Sequence, residues 1–180
     1  FSGKEICFNK SGKFSETNYV DGKKNGKQTY WYKDDLKSKE RFYLNGKLDG
    51  EEIIWHRNGS VKSIRNFING KLNGGQEEWY ENGANKLKGS LNDGKKEGVW
   101  VLWYENGNKK VEGVYNKNGL RHGKWIYFKK DGPLENIIEF ENGLINNAIC
   151  LENKSVKIKG KIHLKNSANP FTGKEICFYE

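Results

Sequence analysis

Three histidines, three cysteines and two pairs of adjacent glutamates are the side chains with which this 180-residue chain could do chemistry. A metal centre needs several such groups at close, regular spacing. His56, His122 and His163 are scattered, belong to no metal-ligand pattern, and read as surface residues. Glu51-Glu52 and Glu77-Glu78 are direct neighbours. On strands, neighbours point to opposite faces, so neither pair can act as an acid–base couple within one unit. The stretch Gly89-Ser-Leu-Asn-Asp-Gly94-Lys95-Lys96 imitates a phosphate loop. It lacks the Ser or Thr that would hold magnesium, and no helix is expected after it. Cys7 and Cys177 sit in near-identical octapeptides, Phe1-Ser-Gly-Lys-Glu-Ile-Cys7-Phe8 and Phe171-Thr-Gly-Lys-Glu-Ile-Cys177-Phe178. With Cys150 elsewhere, they read as small apolar strand residues rather than a disulfide pair. Asn9, Asn58 and Asn153 open Asn-x-Ser glycosylation triplets, which an Asn-rich chain produces by chance. The reading is therefore of a protein that is not an enzyme, with no cofactor, no metal and no small-molecule substrate.

What positions these residues is a repeat. Counting from a glycine at position zero, units start at Gly22, Gly46, Gly70, Gly94, Gly119 and Gly143. The period is 24 residues, with one extra residue before Gly119. Position four is Gly26, Gly50, Gly74, Gly98 and Gly123; position nine is Trp31, Trp55, Trp79, Trp103 and Phe128. Position thirteen is Gly59, Gly83, Gly107 and Gly132, with Asp35 in the first unit. Position twenty-one is Tyr43, Phe67, Leu91, Tyr115 and Phe140. Residues 1–21 are an offset unit in which Gly3, Phe8 and Gly12 fill positions four, nine and thirteen. Residues 1–142 are thus a regular array. Residues 143–168 keep the length but lose the second glycine and the ring; Ile149, Leu151, Val156, Ile158 and Ile162 predict that strands persist there with aliphatic packing, and residues 169–180 open a further, truncated unit. All form one continuous repeat domain, and both ends falling inside units suggests a fragment of a longer protein, or one whose signal segment has been removed.

Glycine about every ten residues leaves no run long enough to propagate a helix. Asn-Gly and Asp-Gly pairs between β-branched and aromatic segments signal hairpins. Within a unit, a three-residue loop such as Glu105-Asn106-Gly107 predicts a type I turn with glycine in the left-handed region. By strand parity this turn should put Trp79 and Leu91, and likewise Trp103 and Tyr115, on one face. Asp35 in place of glycine puts the turn after Lys33 in question. One hairpin cannot bury enough to offset the entropy of ordering it, so stacked units must share their strand hydrogen bonds. The expected fold is all-β: an elongated single-layer antiparallel sheet of tandem β-hairpins.

Apolar residues are 34% of the chain and charged residues 31%, which alone would lean toward disorder. Six Trp, nine Tyr and nine Phe argue against it. The net charge of +9 admits an anionic partner. Acidic residues are interspersed, however, and the lysines fall at turns and strand ends, where they discourage edge pairing. No stretch is long and apolar enough to span a membrane as a helix.

The pattern Gly-Lys-x-Asn-Gly, then Trp-Tyr-x-Asn-Gly-x-x-Lys, resembles the bacterial variant of the MORN repeat, closely over 1–142 and loosely beyond. That variant occurs in YwqK-type antitoxin proteins and in secreted or surface proteins of anaerobes. The resemblance implies a MORN-like solenoid of consecutive hairpins, a role in interaction or adhesion, no shared catalytic residues, and a secreted or cell-surface bacterial setting.

Two aromatic sets define the site expectation. Trp31, Trp55, Trp79, Trp103 and Phe128 should form the structural ladder. The opposite face, with Tyr32, Trp100, Tyr104, Trp125 and Tyr127, should bind a protein partner, since a single layer cannot bury both faces. The alternative is binding of anionic lipid or nucleic acid through the ridge Lys23, Lys47, Lys71 and Lys95. Open sheet edges could also pair edge to edge with a second copy.

Overall fold

A computed structural model describes residues 1–10, 12–150, 162–163 and 170–171. Helix is absent among the described residues. The chain separates into two compact units, Phe1–Gly94 and Lys95–Glu180. The first holds β1 (Gly3–Asn9), β2 (Gly12–Val20), β3 (Lys23–Trp31), β4 (Lys37–Leu44), β5 (Lys47–Trp55), β6 (Val61–Ile68), β7 (Lys71–Trp79) and β8 (Asn85–Asn92). The second holds β9 (Lys95–Trp103), β10 (Lys109–Tyr115), β11 (Arg121–Phe128), β12 (Leu134–Glu141) and β13 (Leu144–Cys150). It also holds two short paired strands, β14 (Ile162–His163) and β15 (Pro170–Phe171). Within each unit β1–β8 and β9–β13 run antiparallel in chain order, an open sheet of consecutive hairpins as the repeat requires. The degenerate stretch 143–168 lies within the described residues only as far as 150 and at Ile162–His163. Leu151, Val156, Ile158 and Cys177, like most of the truncated unit 169–180, lie outside them.

The turns follow the Asx-Gly code. Inside each hairpin the loop closes as expected: Tyr80 N–H donates to Ala84 O at 2.9 Å and Gly83 N–H to Tyr80 O at 3.0 Å. Tyr104 with Asn108 and Gly107, His56 with Ser60 and Gly59, and Lys129 with Pro133 and Gly132 repeat it. Gly83 has φ of 83°, the left-handed conformation this turn demands. The turn after Lys33 survives its substitution. Tyr32 N–H reaches Leu36 O at 2.8 Å, and Asp35 itself takes φ of 58°, which an Asx side chain tolerates.

Between hairpins the turns are tighter. Asp21-Gly22, Asn45-Gly46, Asn69-Gly70, Asp93-Gly94 and Asn142-Gly143 all have positive φ at both residues, the type I′ signature. Gly119 departs from this. Its N–H bonds to Asn116 O at 2.8 Å, and Asn116 N–H to Leu120 O at 2.9 Å, a three-residue loop. The extra residue in the sequence is absorbed there, and Tyr115 still opposes Arg121 as Tyr43 opposes Leu48.

The parity expectation fails, for a definite reason. Beside the ring at position nine, every hairpin of the array carries a second irregularity. Trp103 pairs with Lys109 but Leu102 pairs with Val111, so Lys110 is an extra residue. The same shift lies between Tyr30 and Trp31, Ile54 and Trp55, Glu78 and Trp79, and Tyr127 and Phe128. One extra residue moves the returning strand to the other face. Trp79 and Leu91 therefore face opposite ways, as do Trp103 and Tyr115. Positions six, eight, nineteen and twenty-one share face A; positions seven and nine share face B.

Candidate partner-binding face

In the second unit face A is a row of rings. Trp100, Tyr115, Trp125 and Phe140 follow one another edge to face, with centroids 6.0, 5.0 and 6.1 Å apart. Trp100 is 1% exposed and Trp125 3%. Leu102, Val111, Tyr127 and Ile138 pack around the row. Gly113 makes room for it, since a Cβ there would fall 2.2 Å from Trp125 Cδ2. The Trp125 indole N–H donates to Val114 O at 3.2 Å. Lys96 and Arg121 lie over Trp100 and Trp125 at 4.4 and 4.7 Å.

This revises both aromatic sets. The buried ladder joins positions six and twenty-one, not the row Trp31, Trp55, Trp79, Trp103 and Phe128. Those five are half-buried on face B, where Lys13 covers Trp31 at 4.1 Å. Of the residues assigned to partner binding, Trp100 and Trp125 are core and cannot form an open docking surface. Tyr127 is half-buried against that core. Burial raises its pKa, partly opposed by Arg121, whose guanidinium donates to its hydroxyl at 3.3 Å.

Tyr32 and Tyr104 serve a different end. At position ten, the Tyr32 hydroxyl donates to Trp55 O at 2.8 Å and the Tyr104 hydroxyl to Phe128 O at 3.0 Å. Burial raises the Tyr104 pKa, with help from Glu135 and Asp131. His56 takes the same place, its Nε2 lying 3.1 Å from Trp79 O. Asn58 and Asn106 add links from Nδ2 to Glu81 O and Lys130 O at 2.9 and 2.7 Å. At the other end of the hairpins, Gly46, Gly70 and Gly143 N–H donate to Lys24, Leu48 and Arg121 carbonyls at 2.7, 2.7 and 2.8 Å. Each turn is thereby tied to the turn one repeat away. Sequence reasoning missed this stitching, although the alignment of Tyr32, His56 and Tyr104 was its visible trace.

In the first unit position six of face A is polar: Gln28, Glu52 and Gln76 stand where the second unit has Trp100 and Trp125. Arg41 bonds Glu52 at 3.2 Å and Arg65 bonds Glu78 at 3.2 Å, while Gln28 Nε2 donates to Thr17 Oγ1 at 2.8 Å. Glu77 turns to the other face and meets Lys88 at 2.9 Å, as strand alternation requires of adjacent carboxylates. An open groove of about 410 Å³ lies on face A, lined by Phe14, Tyr30, Tyr32, Ser38, Arg41 and Ile54, with Lys39 among them. Phe14 meets Tyr30 edge on at 5.8 Å.

The lysine ridge is exposed but interleaved with acids: Lys71 Nζ lies 2.7 Å from Asp93. His122 and Cys7 are exposed; the side chains of His163 and Cys150 lie outside the described residues.

No family model matches this chain, and no curated protein matches it. Among solved structures it is similar to one described as the crystal structure of accessory secretory protein 1, 2 and 3 in Streptococcus pneumoniae. Identity is 19% and the TM-score 0.34, over 55% of this chain and 18% of that one. The chain therefore spans a small part of that protein's length.

Proposed function

We propose that this chain is a non-enzymatic repeat scaffold that binds another protein through the accessible parts of its sheet. The observation that supports this is that strands, and not only turns, leave large apolar side chains in water: Phe14 is 46% exposed, Phe42 39% and Val99 63%. Such groups on a hydrogen-bonded sheet offer a preordered contact surface. The bacterial MORN-variant resemblance supports the same class. A host-interaction or toxin-neutralising role, in a secreted or surface setting, rests on that resemblance alone. The rival reading, anionic lipid or nucleic acid on the lysine ridge, is weakened by the Lys71–Asp93 pair. The test is capture with the intact protein, followed by cross-linking mass spectrometry and a salt titration. A protein retained at high salt, cross-linked to strand residues, is the expected result. Recovery of nucleic acid or lipid, lost steeply as salt rises, would overturn it.

A further inference from the structure

We infer that the groove beside Tyr32 binds an extended acidic segment of the partner protein. Its carboxylate would sit on Lys39, and a flanking apolar side chain against Phe14 and Ile54. This rests on the protein-binding reading and specifies the chemistry of the partner.

One residue distinguishes this groove from the matching places at Tyr80 and Tyr104. Position sixteen, the extra residue beside each ring, is Lys62, Lys86 and Lys110 in the following hairpins and Ser38 here. Lys86 and Lys110 extend over the tyrosine of their own turn, Nζ lying 5.9 and 5.4 Å from the Tyr80 and Tyr104 rings. Ser38 is too short to do so, and the near side of Tyr32 stays open. The Tyr32 ring is nonetheless fixed, by its hydroxyl on Trp55 O and by Arg57 at 5.2 Å.

Two cations line the groove, and one of them is uncompensated: Arg41 is paired with Glu52, whereas Lys39 has no carboxylate beside it among the described lining residues. Arg41 is engaged by Glu52 and by the Tyr43 hydroxyl. Lys39 is half-buried between its cross-strand partners Tyr30 and Ile54. It makes no ion pair among the described residues. A cation drawn partly out of water without a counter-charge is unfavourable, and a bound carboxylate removes that cost.

The walls select the rest of the ligand. Inorganic phosphate would satisfy Lys39 and leave Phe14 and Ile54 in water. A neutral sugar would stack on Tyr32 and leave Lys39 unpaired. An extended peptide places side chains on one side every second residue, about 6.6 Å apart, so acidic and apolar groups reach cation and ring together. A groove of about 410 Å³ falls in the range of small-ligand clefts and accommodates a few side chains.

Fluorescent acetylated hexapeptides of alternating Glu and Leu, with Gln–Leu and Lys–Leu counterparts, test this on the full chain by anisotropy. The Glu–Leu peptide should bind at least tenfold more tightly than the Gln–Leu peptide, and the Lys–Leu peptide should not bind. Ser38→Lys should weaken Glu–Leu binding at least tenfold with an unchanged melting temperature, because lysine already stands at this position in the next three hairpins. Lys39→Gln should do the same should Ser38→Lys fail to fold. Equal binding of Glu–Leu and Gln–Leu, wild-type binding by either variant, or displacement of the peptide by inorganic phosphate or a polyuronate would overturn the inference. A natural partner held equally by Ser38→Lys would sink the groove and leave the scaffold standing. Peptide binding with no protein captured by the intact chain would sink the scaffold instead.

Discussion

Position six is Gln28, Glu52 and Gln76 in the first unit, and Trp100 and Trp125 in the second. Its neighbour across the strands, position nineteen of the preceding hairpin, changes in step. Arg41 stands against Glu52, Arg65 against Gln76, and Gly113 beneath Trp125. One backbone plan is thus held by two chemistries, guanidinium to carboxylate in one stretch and ring to ring in the other. The repeat specifies turns and hydrogen bonds. What fills face A is left to a local pair that has to match in size and charge.

The comparison can be broken most severely at Trp125. Replacing this ring, 3% exposed, with alanine should destabilise the second unit by about 3–5 kcal/mol. Hydrogen exchange resolved by peptide would locate the loss within Lys95–Glu180; an equal loss throughout the chain would argue against a local pair. Gly113→Ala comes next, at about 1–3 kcal/mol, because its Cβ would overlap the Trp125 indole. Chemical denaturation of Gly113→Ala alone and with Trp125→Leu should show the cost relieved in the double variant. Arg41→Ala follows, at about 1–2 kcal/mol, since it strands the Glu52 carboxylate. The pair Arg41→Leu with Glu52→Leu should recover most of that stability if matching, rather than charge itself, is what face A needs. A double variant no better than the single one would show that the ion pair is indispensable.

The smallest effect is a pH dependence. Hydrogen bonds from Lys13 and then Lys4 hold the Glu16 carboxyl at about 2, below the ordinary 4.5. Burial alone would raise Glu40, but Lys37 and Lys27 outweigh it and the net shift is downward. A depressed folded-state pKa contributes stability that is full above the unfolded value and fades as pH falls through the folded one. Melting followed from pH 6 to pH 2 should therefore show the first unit weakening below about 4.5, by a small amount that added salt reduces. Glu16→Gln should flatten that slope. A slope of the same size confined to the second unit would contradict the assignment.

The turns were legible in the chain because Asx-Gly pairs have few conformations open to them, and Gly83, Gly107 and Asp35 took the ones their neighbours required. The faces were not. Lys62, Lys86 and Lys110 look like any strand lysine, and nothing in their type shows that each is an extra residue beside a ring. That single displacement exchanged the aromatic sets: Trp103 went to the half-covered face, and Trp100 and Trp125 to the interior. Gly113 carried a trace, as a glycine in mid-strand often marks close packing, but its partner is evident only once the register is known. The groove at Tyr32 left a comparable trace in Ser38, the one serine in a column otherwise held by lysines in the next three hairpins.

The loop at Gly119 bears on how such an array can change over generations. A one-residue insertion at that junction leaves the pairing of Tyr115 with Arg121, and all that lies beyond, as it would have been. Inside a strand the same insertion would reverse every side chain downstream. Hairpin junctions are therefore the seams at which whole modules can be copied, removed or joined inaccurately, the imprecision of the splice being taken up by a change of turn.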